Sequence, residues 1–308
     1  MIRTNRLHIV LTGGTGFIGT QLQKFLVSSG HKVTVYTRER SSNKSRVLSS
    51  SVIVEGSLTD VNKITTLVSQ CDLVLYCAGS VRGTQHEDFS QANVLGVKVF
   101  GEAAAEMGAR FLLISSLAAE RPYLSDYANT KYLGEKVLEG IGKLRWCVIR
   151  PPAVYGPGDT ELRPLFTLMS KGIALITGPK NQKLSLIYVD DLARAVCRLV
   201  VSSVAFDRMI LPLHDAKDGG YFWRDIVESV RPGMLSVKIR VPRFILDLCA
   251  KANVWRASTF GYVPMLTPGK VRELSENAWV CDNTKINEIC NWTPSVGLRE
   301  GIQKTVVK

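Results

Sequence analysis

Leu7-His-Ile-Val-Leu-Thr-Gly-Gly-Thr-Gly-Phe-Ile-Gly19 decides the fold of this chain. An apolar strand runs into a glycine-rich turn, and the text after it turns helical, with Leu22, Phe25 and Leu26 on one face. This order brings a helix N-terminus and bare backbone against a phosphate. Gly13 permits the tight turn, Gly16 leaves room for a pyrophosphate, and Gly19 lets helix and strand approach. Thr12, Phe17 and Ile18 complete the candidate loop. Strand before and helix after give the glycine pattern its specificity.

Outward from that point, strand text recurs at 7–11, 32–36, 51–54, 73–76, 111–114 and 146–149. Helical spacing fills most of the gaps, as at 61–68 and 89–107. Such alternation predicts a Rossmann-type α/β fold, a doubly wound parallel sheet with helices on both faces. The expected dinucleotide-binding domain covers 1–155, with 184–205 returning to it. A smaller α/β substrate lobe is expected from 156–183 and 206–308. After Arg150 the pattern is broken by Pro152, Pro157 and Pro164. A helix is expected at 165–171, a strand at 184–188, and then a helix capped by Val189-Asp190-Asp191.

Composition narrows the class. The chain has 308 residues, 45% of them hydrophobic, enough for a large core. No apolar run reaches membrane-spanning length. The first apolar run ends in the glycine loop and is not read as a signal peptide. Seven cysteines and four scattered histidines show no ligand spacing, so no metal site is expected, and the thiols read as reduced and cytoplasmic. The formal charge of +12 draws anionic partners, but no nucleic-acid module is present, and a solvated basic surface is the plainer reading. The expected partner is a small-molecule substrate, with a homodimer left open. Residues 241–256 are amphipathic and basic. They read as a lobe helix packed on the sheet domain, with membrane-surface contact as the alternative.

Two more motifs carry chemistry. In Tyr127-Ala-Asn-Thr-Lys131, the two outer residues share one helix face. A nearby ammonium would lower the phenol pKa and suit Tyr127 to proton transfer. Tyr132-Leu-Gly-Glu-Lys136 overlaps it with the same spacing. Tyr127 is preferred because it sits at the helix start, beside Ser125-Asp126, where a side chain enters a crevice. Phe111-Leu-Leu-Ile-Ser-Ser116 ends a strand in hydroxyls at the edge where open parallel sheets bind ligands. Ser116 could bond a substrate oxygen there.

These residues together resemble the extended short-chain dehydrogenase/reductase superfamily, in its branch of NAD(P)-dependent epimerases and dehydratases. Arg150-Pro-Pro-Ala-Val-Tyr-Gly-Pro-Gly-Asp159, Ile187-Tyr-Val-Asp-Asp-Leu-Ala193 and Trp292-Thr-Pro294 with Leu298-Arg-Glu-Gly301 extend the likeness over nearly the whole chain. The resemblance implies Tyr127 as catalytic acid/base, Lys131 on the nicotinamide ribose, and Ser116 orienting the substrate. It implies Asn93 as support for the lysine or the nearby strand. Cys77, Ala78 and Gly79 would line the cofactor, with Pro151, Ala153 and Val154 beside the nicotinamide.

Three departures sharpen the expectation. Only eleven positions separate Ser116 from Tyr127, with no Val-Tyr-Gly after the serine pair, which argues against a sugar pocket. Ser57 stands where the family often has an aspartate, so Leu58 or backbone would meet the adenine. The second strand ends at Thr37-Arg38, with Arg40 following, and not in the carboxylate that an NAD ribose prefers. A guanidinium there suits a 2′-phosphate, so NADP(H) is expected over NAD(H). The leading expectation is an NADP(H)-dependent oxidoreductase acting on a hydroxyl or carbonyl of a small, partly apolar substrate. The alternatives are a nucleotide-sugar epimerase or dehydratase holding NAD tightly, and a catalytically idle nucleotide-binding subunit or sensor.

Overall fold

The computed structural model describes residues 6–38, 43–202 and 204–306. The six expected strands form as His8–Thr12 (β1), Lys32–Thr37 (β2), Val52–Glu55 (β3), Leu73–Tyr76 (β4), Arg110–Ile114 (β5) and Trp146–Arg150 (β6). With Met209–Pro212 they make a seven-stranded sheet in the order Met209–Pro212, β6, β5, β4, β1, β2, β3. Every pairing in it is parallel. The strand direction of chain progress reverses beside β1, and such a switch point opens a crevice at the carboxyl ends.

Period-two alternation explains the two cores. Ile9 and Leu11 of β1 face one side, with Leu22 and Leu26 of helix α1 (Phe17–Ser28) and Val196 of helix Val189–Val201. Val10 faces the other side, with Ile64 and Val68 of helix α2 (Val61–Val68) and Phe100 of helix Gly96–Met107. All of these side chains are fully buried. A smaller third core gathers Tyr155, Phe166, Trp223 and Leu298.

The second half differs from expectation in three places. The ladder with β6 puts Met209–Pro212 in the central sheet, although the sequence reading opened the smaller lobe at 206. The strand expected at 184–188 is two: Lys183–Leu184 pairs with Tyr221–Phe222 and Ala278–Trp279, and Leu186–Tyr188 pairs with Ala153–Tyr155. Asp191 does not cap its helix. Its buried carboxylate accepts the backbone N–H groups of Ser295 and Val296, both at 2.9 Å, and the Arg194 guanidinium. Asp191 thus ties the C-terminal tail down, a long-range bond that mimics a local cap in the sequence.

Candidate active site

The glycine loop is held by contacts that admit no side chain. Gly13 has φ +68, and a Cβ there would lie 2.6 Å from Cys77 and Ala78 backbone atoms. At Gly19 a Cβ would lie 2.1 Å from the Gly13 carbonyl oxygen. Gly16 is exposed, caps α1 without a side-chain bond, and a Cβ there would lie 3.3 Å from the Gly13 carbonyl oxygen. Thr12 Oγ1 accepts from the N–H groups of Cys77 and Ala78 at 3.1 and 3.0 Å, which fixes the loop after β4 against the end of β1. Gln23 Nε2 donates to the Gly14 carbonyl at 2.6 Å from α1. The α1 amides therefore face outward on a rigid base, and the cradle fits a dinucleotide pyrophosphate.

At the far edge of that cradle, Thr37 is buried at the end of β2 and Arg38 follows it, exposed. Glu55, opposite Thr37 on β3, gives its carboxylate to Lys44 at 2.5 Å. The Tyr36 hydroxyl donates to the Ser57 carbonyl at 2.7 Å, and Leu58 packs against the second core. Arg40 lies outside the described residues.

Across the crevice stands helix Asp126–Gly140. Ser125 caps it, accepting the Ala128 N–H at 3.0 Å, a bond of about 1 kcal/mol. Tyr127 is half-buried in the first turn, and the Ser116 hydroxyl bonds its phenol. Ser116 Oγ also accepts the Ala118 N–H at 3.2 Å, so the strand-end serine serves backbone and phenol together. Lys131 is buried, and its Nζ donates to the Ile114 carbonyl at 2.7 Å. Desolvation lowers its pKa from 10.5 to about 8, with Cys77 and Glu135 opposing the fall. Asn93 is buried between both walls. Its Oδ1 accepts the Ser80 N–H at 3.2 Å, and its Nδ2 donates to the Ser80 carbonyl at 3.1 Å and to Thr130 Oγ1 at 3.0 Å. Asn93 thus joins the 77–80 loop to the Tyr127 helix. Cys77 borders this junction, and burial pushes its thiol up to about 12, with Lys131 as the opposing influence. Leu117 N–H donates to the Pro151 carbonyl at 2.8 Å, while Ala153 and Val154 begin the short strand beyond.

The expected tuning of Tyr127 is corrected. Burial raises the phenol pKa, against the Ser116 bond and a nearby ammonium, which is that of Lys270 and not Lys131. Lys270 belongs to helix Pro268–Leu274, and its Nζ donates to Glu273 at 2.9 Å. Buried Glu273 in turn accepts the Ser125 hydroxyl. A second helix therefore grips the first turn of the Tyr127 helix and presents a cation to the phenol. Sequence reasoning missed Lys270, because only tertiary packing brings it near.

Behind the site, buried Glu135 takes Arg150 at 2.6 Å and the Ser115 hydroxyl, locking β5, β6 and the Tyr127 helix together. At the rim, Arg82 Nε donates to Glu161 at 2.8 Å and its Nη2 reaches Met265 Sδ at 3.9 Å. The second tyrosine–lysine pair is elsewhere. Lys136 lies 5.4 Å over the Tyr132 ring and bonds Glu139 at 2.6 Å, a surface arrangement. Among the described residues no group of His, Cys, Asp and Glu could hold a metal ion.

Comparison with known proteins agrees with this architecture. Residues 9–208 match the model of the NAD dependent epimerase/dehydratase family. A ceramide reductase from Caulobacter vibrioides is 30% identical, over 97% of this chain and 93% of that protein. A decarboxylating sterol-4-alpha-carboxylate 3-dehydrogenase from Dictyostelium discoideum is 23% identical, over 96% and 99%. The solved UDP-glucuronic acid 4-epimerase of Bacillus cereus, in complex with UDP-glucuronic acid and NAD, has a TM-score of 0.73 at 18% identity, with 97% of each chain covered.

Proposed function

The chain belongs to the NAD dependent epimerase/dehydratase family, and within it we propose an NADP(H)-dependent oxidoreductase acting on a carbonyl or hydroxyl of a partly apolar, lipid-like substrate. The observation that carries this reading is the convergence of Ser116, Tyr127 and Lys131 on the crevice that the glycine loop opens.

The bound nicotinamide would supply or accept the hydride. Ser116 and Tyr127 would hold the substrate oxygen between their hydroxyls. Tyr127 enters protonated at neutral pH, because burial raises its pKa, and it can give its proton to the oxygen of a reduced carbonyl. This state favours reduction. Lys131 would reach the ribose, with Asn93 fixing the backbone on either side. Helix Pro268–Leu274 and the Arg82–Glu161 pair would exclude water from the oxygen.

The lipid-like substrate class rests on the ceramide reductase and sterol dehydrogenase named among the relatives. The short segment between Ser116 and Tyr127 agrees with it. That segment opens on a tight turn, Leu117–Glu120, in which three apolar residues are buried. The preference for NADP(H) rests on Thr37 and Arg38 at the end of β2, where a carboxylate would be needed for NAD.

The test is a paired binding and turnover measurement. NADPH should bind more tightly than NADH, and Arg38→Ala should weaken NADPH about tenfold while sparing NADH. Purified enzyme should oxidise NADPH with long-chain oxo-lipids and leave UDP-glucose unchanged. Tightly retained NAD with UDP-sugar turnover would replace this reading with an epimerase. Cofactor binding without turnover on any carbonyl would replace it with a nucleotide-binding subunit.

A further inference from the structure

Helix Arg243–Phe260 is nearly unburied for its eighteen residues. Only Leu246, Ala250 and Ala257 are buried, on one narrow stripe, and the first two pack with Val271 of helix Pro268–Leu274. The sequence favoured packing on the sheet domain. The structure instead stands the helix on its smaller neighbour. At 100° per residue, the pole opposite the buried stripe holds Phe244, Leu248 and Trp255. Their exposures are 71%, 68% and 68%. Water gains nothing from three large apolar side chains in one row, and a contiguous patch of this kind marks an interaction surface.

Charge identifies the occupant. By the same helical angles, Lys251 lies about 40° from the apolar pole on one side and Arg256 about 100° from it on the other. Residues 231–266 contain six Lys and Arg against one acid, Asp247. That acid lies about 80° from the pole, and Arg243 at 3.7 Å offsets its charge. An apolar ridge with cations on both shoulders matches a membrane interface, where tails receive the ridge and anionic headgroups meet the cations. A second copy of this chain would bring another net-cationic face against this one.

We propose that helix Arg243–Phe260 seats on the surface of an anionic lipid bilayer. Trp255 and Leu248 enter the headgroup–acyl boundary, and Lys251 and Arg256 engage phosphate headgroups. The adjoining link carries exposed Tyr262, Val263 and Met265 back to the rim at Arg82, so the docked helix sets the crevice mouth beside the bilayer. This goes beyond the proposed reaction and needs no turnover to be observed, so the two can fail separately.

The test is flotation of the full chain with phosphatidylcholine vesicles, with and without phosphatidylglycerol. Flotation is expected only with phosphatidylglycerol and should fall with salt. Trp255→Asp with Leu248→Asp should lower binding on the order of tenfold or more. Lys251→Gln and Arg256→Gln should each lower it about fivefold. Lys98→Gln, on the exposed face of helix Gly96–Met107, should change nothing. Thermal melting and NADPH binding verify that each variant is folded. Three results would overturn the proposal: no flotation of wild type on phosphatidylglycerol vesicles, unchanged flotation of the double Asp variant, or a dimer in solution that the double Asp variant dissociates.

Discussion

The cofactor wall of the crevice is backbone against backbone, whereas the opposite wall is side chain against side chain. On the first, Gly13, Gly19 and Thr12 leave no atom free to move, since the nearest contacts are to the peptide groups of residues 13, 77 and 78. On the second, Lys270, Glu273 and Ser125 join two helices through a chain of polar contacts that longer or shorter residues could remake. The difference separates what the fold fixes from what a family member can vary. A phosphate cradle has one steric solution, while a substrate wall has many.

Substitution at the two walls should expose this contrast, with the largest effect at the glycines. Gly19→Ala places a methyl group 2.1 Å from the Gly13 oxygen, with no flexible side chain to yield. It should cost about 3 kcal/mol or more of stability in chemical denaturation and remove NADPH binding. Gly140→Ala, which meets nothing within 4 Å, is the control and should melt as wild type does. An unaltered Gly19→Ala protein would mean that the cofactor wall is as adaptable as the other.

Lys131 lies between the walls and gives an effect of intermediate size. Its pKa falls from 10.5 to about 8 on folding because burial penalises the ammonium. Below pH 8 both folded and unfolded chains carry the charge, and folding bears the whole desolvation cost. Between pH 8 and 10.5 the folded chain releases its proton first, so stability rises with pH. Relative to Lys131→Met, the wild type should gain about 3 kcal/mol across that interval. A parallel pH dependence of the two proteins in urea unfolding would remove the buried ammonium from the account.

The smallest effect belongs to the side-chain wall. Lys270 is 44% exposed, so its charge is screened. Lys270→Met should raise the Tyr127 pKa further, move the alkaline limb of the rate profile upward, and slow turnover about fivefold. NADPH affinity should stay unchanged. A loss of cofactor affinity instead would place Lys270 on the cofactor wall.

The same contrast explains what could be read from the residues alone. The glycine loop, the strand alternation and the Tyr127–Lys131 spacing were legible because each is a local rule, steric or periodic. The pairing of Ser125 with Glu273, 148 positions apart, follows no local rule. Asp191 has the local look of a cap, and only the fold reveals that its partners are Ser295 and Val296. Met209–Pro212 is as long as β3 and β4, but it ends in proline and lies at the edge of the sheet, in the irregular text beyond Arg150. Helix Arg243–Phe260 was legible as apolar and basic, but not in which of its faces the protein leaves open.

Two tyrosine–lysine pairs of identical spacing on one helix allow the most direct test. Tyr127 meets Ser116 in the crevice, while Tyr132 lies under Lys136 at the surface. Turnover and NADPH affinity should be measured for Tyr127→Phe and Tyr132→Phe with one active carbonyl substrate. Tyr127→Phe should slow turnover by about 100-fold to 10,000-fold with NADPH binding retained, because only the proton donor is lost. Tyr132→Phe should turn over as wild type does. An active Tyr127→Phe beside a dead Tyr132→Phe would contradict the account and move the chemistry to the other face of the helix.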